Sequence, residues 1–124
     1  MSIYEDANEA FEAGELDRVR ELLIPVAISG DAEAQSALGT FLTLSGDPTP
    51  FEEGVLWLRN AAEAGDGVAA YNLGTILLSG GPGVDADSEL AMRYLARARE
   101  SGLEAMVCAE TGELELRTLP PPPP

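Results

Sequence analysis

Carboxylates are the groups this chain offers most freely for chemistry. It holds 22 Asp and Glu against seven basic residues, all Arg, and it has no His. Paired carboxylates do general acid–base work when their surroundings separate their pKa values. The densest group is Glu5, Asp6, Glu9, Glu12, Glu15 and Asp17. Within it, Glu5, Glu9 and Glu12 fall at i, i+4 and i+7, one face of a helix. No apolar pocket is evident around them to split their pKa values. They read better as the solvated face of a terminal helix, or as a surface that receives a basic segment. Neither a Ser/His/Asp nor a Cys/His set can exist without His. Cys108 is the single cysteine, so no intramolecular disulfide forms, and it reads as a buried small hydrophobe. A metal cluster would lack both His and a second Cys. Gly80-Gly81-Pro82-Gly83-Val84-Asp85 matches one unit of a calcium-binding β-roll, but such sites need stacked copies. There is no P-loop or dinucleotide fingerprint. These residues point away from an enzyme and from any metal or cofactor.

Net charge is -15. A charge of that sign repels phosphate backbones and anionic membrane surfaces, so neither nucleic acid nor membrane is expected as a ligand. It steers basic partners inward, and it equally serves solubility. The opening Met1-Ser2-Ile3-Tyr4-Glu5-Asp6 is acidic, with neither a basic n-region nor an apolar h-region, which suggests a cytoplasmic protein. The Arg-only, Ala- and Gly-rich composition suggests a bacterial source with a GC-rich genome.

Elements that could present a surface come from a phrase written twice. Gly30-Asp31-Ala32-Glu33-Ala34-Gln35-Ser36-Ala37-Leu38-Gly39-Thr40 returns 35 residues later as Gly65-Asp66-Gly67-Val68-Ala69-Ala70-Tyr71-Asn72-Leu73-Gly74-Thr75. Gly, Asp, Ala, Leu, Gly and Thr coincide in register. A period of that length marks a helical solenoid. Around it, apolar spacing predicts helices at about 3–13, from about 15, and at 32–45, 51–64, 67–79, 88–101 and 103–117. Asp31, Asp66 and Asp87 or Ser88 are the expected N-caps. Pro25 predicts a kink or an early end of the second helix. Gly39 sits in mid-helix at a cost of about 1 kcal/mol, understandable if another backbone approaches closely there. The second helices align too: Leu22, Trp57 and Tyr94 share one position, Leu23, Leu58 and Leu95 the next.

These residues carry a resemblance. The small-residue helix ending in Leu-Gly, the turn Gly81-Pro82-Gly83-Val84-Asp85-Ala86-Asp87, and Ala91, Tyr94, Leu95 and Ala98 resemble the Sel-one-like repeat, a branch of the tetratricopeptide-repeat superfamily. The match covers about 30–102. Residues 3–30 are similar to a tetratricopeptide unit. Phe51 to Gly54 departs from the pattern: the usual Gly-rich turn is missing and Gly stands where Ala is normal.

The resemblance implies an all-α fold, an α-solenoid of antiparallel helix pairs in a right-handed superhelix. Its units would be about 3–30, 31–65 and 66–102, with a C-terminal capping helix at 103–118, all one domain (1–118), and a proline tail at 119–124. It also implies a concave face lined by the first helix of each unit. That places Tyr4 and Asn8, then Glu33, Ser36 and Thr40, then Val68, Tyr71, Asn72 and Thr75 at the candidate partner-binding positions. Thr43 and Leu78 extend the same sets. The expected function is a non-catalytic scaffold or adaptor for a protein or peptide rich in basic residues. The alternative is a dedicated inhibitor or immunity protein for a basic toxin or enzyme. The tail, as polyproline II, is either a ligand for an aromatic groove or a disordered terminus.

Overall fold

The computed structural model describes residues 2–45, 47–101, 103–107 and 114–118. Helix starts follow the side chains that satisfy orphan N–H groups. Ser2 Oγ accepts from Glu5 N at 3.2 Å and opens α1 (Ile3–Glu12). The paired phrase behaves identically in both copies. Asp31 accepts from Ala34 N at 3.0 Å to open α3 (Ala32–Leu44), and Asp66 accepts from Ala69 N at 2.8 Å to open α5 (Gly67–Ser79). Asp87 accepts from Leu90 N at 3.0 Å to open α6 (Ser88–Glu100). The glycine preceding each repeated Asp, Gly30 and Gly65, has φ of 100° and 98°, a left-handed turn that L side chains resist.

Prolines lie inside two of the helices. α2 (Leu16–Ile28) continues through Pro25 to Ile28. The carbonyl that Pro25 leaves without a helical partner belongs to Glu21, and both residues are exposed, where such a loss is least costly. α4 starts at Pro48 rather than 51 and runs to Glu63. Pro48 and Pro50 lie in the first turn, where a missing N–H costs nothing.

Helices pack as α1 on α2, α3 on α4 and α5 on α6, with α2–α3 and α4–α5 contacts joining the units. These six helices form the α-solenoid the repeat implies. The buried residues form two apolar clusters. One contains Ala7, Val19, Leu23, Ala34, Leu38 and Leu42. The other contains Val55, Leu58, Ala69, Leu73, Ala91 and Tyr94. Between α3 and α4 the backbones nearly touch. A Cβ built on Gly39 would lie 2.8 Å from the Gly54 carbonyl oxygen, and one on Gly54 would lie 2.7 Å from the Gly39 oxygen. The glycine at 54, where the repeat normally has Ala, is thus the partner of Gly39.

The turn after α5 uses its glycines for geometry. Gly80 and Gly83 have φ of 72° and 73°, and Gly81 and Val84 exchange two backbone hydrogen bonds of 2.9 Å. The calcium-like spelling is therefore used by an inter-helix turn.

The expected C-terminal capping helix at 103–118 is overturned. Residues Leu103–Val107 (β1) and Leu114–Thr118 (β2) pair antiparallel, with Leu103 opposite Thr118 and Val107 opposite Leu114. The physical reason is visible in Leu114-Glu115-Leu116-Arg117-Thr118, which alternates apolar and polar residues with the period of a strand. β1 lies against α6 and α5, at the end of the stack where a third matched repeat would otherwise continue. The readings made for Cys108 and for the proline tail at 119–124 lie outside the described residues.

Candidate functional site

A helical stripe recurs at i, i+4, i+7 and i+11, because about 3.6 residues complete a turn. On α3 that stripe is Glu33, Ala37, Thr40 and Leu44. On α5 it is Val68, Asn72, Thr75 and Ser79. Glu33, Leu44, Val68 and Ser79 are exposed, and Ala37, Thr40, Asn72 and Thr75 are half-buried. On α1, Tyr4 is half-buried and Asn8 exposed.

Two of the positions named from sequence do not belong to this surface. Ser36 is 4 % exposed and Tyr71 is 8 % exposed. Each follows the first stripe residue by three positions, which rotates it roughly 60° off the stripe. That rotation carries Tyr71 into the apolar cluster of α4, α5 and α6. The sequence grouped i+3 with i+7 as one face; the structure separates them.

Four of the remaining residues, Asn8, Thr40, Asn72 and Thr75, make side-chain hydrogen bonds. Asn72 Nδ2 donates to Thr40 Oγ1 at 3.0 Å and ties α5 to α3. Thr40 Oγ1 donates in turn to the Ser36 carbonyl at 2.8 Å, and Thr75 Oγ1 donates to the Asn72 carbonyl at 2.8 Å. Asn8 Nδ2 donates to Glu12 Oε1 at 3.3 Å. Burial raises the Tyr4 phenol above its usual range, and the nearby Asp31 and Glu33 carboxylates raise it further. Tyr4 therefore remains a neutral hydroxyl in a negative field. The arrangement has small polar groups held between helices and an acidic end. Among the described residues no three carboxylate or thiol groups converge as a metal site would require.

Sequence reading missed the charged contacts that bridge the second helices. Arg20 on α2 donates through Nε and Nη2 to Glu53 Oε2 on α4, at 3.2 and 3.0 Å. Glu63 on α4 accepts from Arg97 Nη1 at 2.9 Å and from the Tyr94 hydroxyl at 3.1 Å, both on α6. The Arg97 guanidinium also sits 5.2 Å from the centre of the Tyr94 ring. The available signal was opposite charge spaced 33 and 34 residues apart, close to one repeat.

Glu63 yields a pH prediction. Its hydrogen bonds from Arg97 and then Tyr94 hold its carboxyl below the ordinary value. A lowered folded pKa means the unfolded chain binds the proton more readily. The stabilisation is therefore complete above the ordinary carboxylate value and is lost as pH falls through the lowered one. Glu63→Gln should remove this dependence. Melting temperatures of the two proteins should differ at pH 7 and converge on acidification through the carboxylate range. Parallel curves down to low pH would refute the assignment.

No curated protein matches the chain. A family model described as Sel1 repeat matches residues 32–66 and 67–103, which are the α3–α4 and α5–α6 units. Sel1 repeats are generally protein–protein interaction modules. With more than half of its residues inside two matched repeats, each built as the helix pair described above, the chain belongs to the Sel1 repeat family.

Proposed function

We propose that this chain is a non-catalytic adaptor that holds a basic protein or peptide segment on the concave face lined by the first helices α1, α3 and α5. The observation that carries the reading is the Thr40–Asn72 bond. It makes α3 and α5 one continuous surface, with Glu33, Val68 and Asn8 standing out from it in a chain of net charge -15. Such a field steers basic segments and disfavours nucleic acid and anionic membrane. A bacterial source accords with the Arg-only, Ala- and Gly-rich composition. No described helix is long and apolar enough to cross a membrane.

Glu33→Arg combined with Thr75→Arg tests the reading, with Asn60→Arg on α4 combined with Glu100→Arg on α6, both exposed, as a control of equal charge change. The protein serves as bait for proteins from its own source, and the captured basic species are quantified. Their recovery should fall at least tenfold with the double variant, about 1.4 kcal/mol or more of binding, and persist with the control. Equal recovery from all three baits would end the proposal.

A second reading, a dedicated inhibitor or immunity protein for a basic toxin or enzyme, draws on the same charge. One strongly basic protein captured in a one-to-one complex, with loss of its activity, would favour it. Many weak partners would exclude it.

A further inference from the structure

The two ends of the first-helix face differ in chemistry. At one end lie Tyr4, Asp31 and Glu33. Asp31 is engaged in capping α3, whereas Glu33 is exposed and takes part in none of the ion pairs among the described residues. Glu33 is the carboxylate available there to a cation, with Asp31 adding to its field. At the other end, Leu44 is 64 % exposed. Beside it is a recess of about 230 Å³ in which Phe11, Leu16 and Leu44 supply the apolar wall and Gly14, Ser45 and Asp47 the remainder. Its wall is firm, since the Phe11 and Phe41 rings pack with centroids 5.1 Å apart. Ala37 and Thr40 lie between the ends on the same stripe and leave the middle low and polar.

We propose that this face reads two anchors at a fixed separation, a basic side chain at Glu33 and a bulky apolar side chain beside Leu44, both carried by one extended partner segment. This rests on the reading of the first-helix face as the binding surface. Glu33 and Leu44 are 11 residues apart on one helix, or about 16 Å at 1.5 Å per residue. An extended chain advances about 3.3 Å per residue, so the anchors fall about five residues apart, as in Arg-x-x-x-x-Leu. An extended segment has backbone N–H groups that need acceptors, and the middle of the face offers the side-chain oxygen of Asn72, whose Nδ2 is held by Thr40. Charge complementarity fixes the basic end, and burial of an isolated exposed leucine favours the other.

The probes are fluorescein-labelled peptides with one Arg and one Leu separated by two, four or eight Ser residues, titrated into the intact protein by anisotropy. The four-residue spacer should bind at least fivefold tighter than the other two. Glu33→Arg and Leu44→Ser should each remove that advantage, and Leu44→Met should restore it relative to Leu44→Ser. Both altered side chains are exposed, and circular dichroism confirms that the variants fold. Affinity independent of spacing would overturn the two-anchor proposal. The adaptor reading would survive that result if basic partners remain sensitive to Glu33→Arg with Thr75→Arg. If partner capture is also indifferent to that pair, both fail.

Discussion

Gly39→Ala should destabilise the chain by about 1–3 kcal/mol, while Gly74→Ala, at the same position of the repeat, should leave it nearly unchanged. The prediction runs against intrinsic preference, since Ala is the better helix former by about 1 kcal/mol at both sites. What decides it is the identity of the neighbour. A Cβ on Gly39 would meet the Gly54 carbonyl oxygen at 2.8 Å and Leu58 Cγ at 2.7 Å. Leu58 is fully buried and the carbonyl belongs to a helix, so relief requires α3 and α4 to move apart. A Cβ on Gly74 would meet Leu95 Cδ2 and Cγ at 2.8 Å, with the Ala91 oxygen at 3.2 Å. Leu95 is half-buried at the edge of its cluster and can rotate away, so the propensity gain offsets the crowding. Urea denaturation of both variants against the parent measures the difference. Equal stabilities for the two would show that helix approach is not what the glycine serves.

Leu73→Ala should cost about 2–5 kcal/mol, a large share of the roughly 5–15 kcal/mol that holds a typical domain. Leu73 has no exposed surface and lies in the cluster of α4, α5 and α6. Truncation leaves a cavity whose walls are helices already in contact, so little collapse is available. Its counterpart Leu38, equally buried, belongs to the other cluster, with Ala7, Val19 and Leu23. Each solenoid unit meets only its neighbours, so damage should stay local before global unfolding. Native-state hydrogen exchange should show protection falling more in α5 and α6 than in α1 and α2 for Leu73→Ala, and the reverse order for Leu38→Ala. Uniform loss across all helices in both variants would show one indivisible cooperative unit instead.

Much of this molecule is legible along the chain, and the particular residues show why. Asp31 and Asp66 precede their helices and cap them, because capping is a contact three residues away. Leu38 and Leu73 are buried because their place in the repeat fixes the face they occupy. α2 runs on through Pro25 because the loss of one bond at an exposed position is tolerated, and α4 starts at Pro48 because a first-turn residue needs no N–H partner. The segment after Glu100 has helical and strand spacing superimposed, and pairing between Leu103–Val107 and Leu114–Thr118 selects the strand.

The candidate face was less legible than the fold. Its stripe could be placed because helical periodicity assigns a direction to every residue. Its edge was misplaced, since Ser36 and Tyr71 stand i+3 from the first stripe residue and turn inward, Tyr71 into the cluster of α4, α5 and α6. The Arg20–Glu53 and Glu63–Arg97 bridges join residues about one repeat apart, and their formation depends on how adjacent second helices are offset.

The repeat period, the caps and the apolar spacing thus specify helices, units and family, because each depends on contacts within a few residues or on strict recurrence. Three further features rest on distances between elements brought together only by folding: the touching backbones at Gly39 and Gly54, the hydrogen bond from Asn72 to Thr40, and the separation of an acidic end at Glu33 from an apolar end at Leu44. Side chains related by no local rule acquire a common surface there, and the chemistry of that surface is set by which of them the stack leaves uncovered.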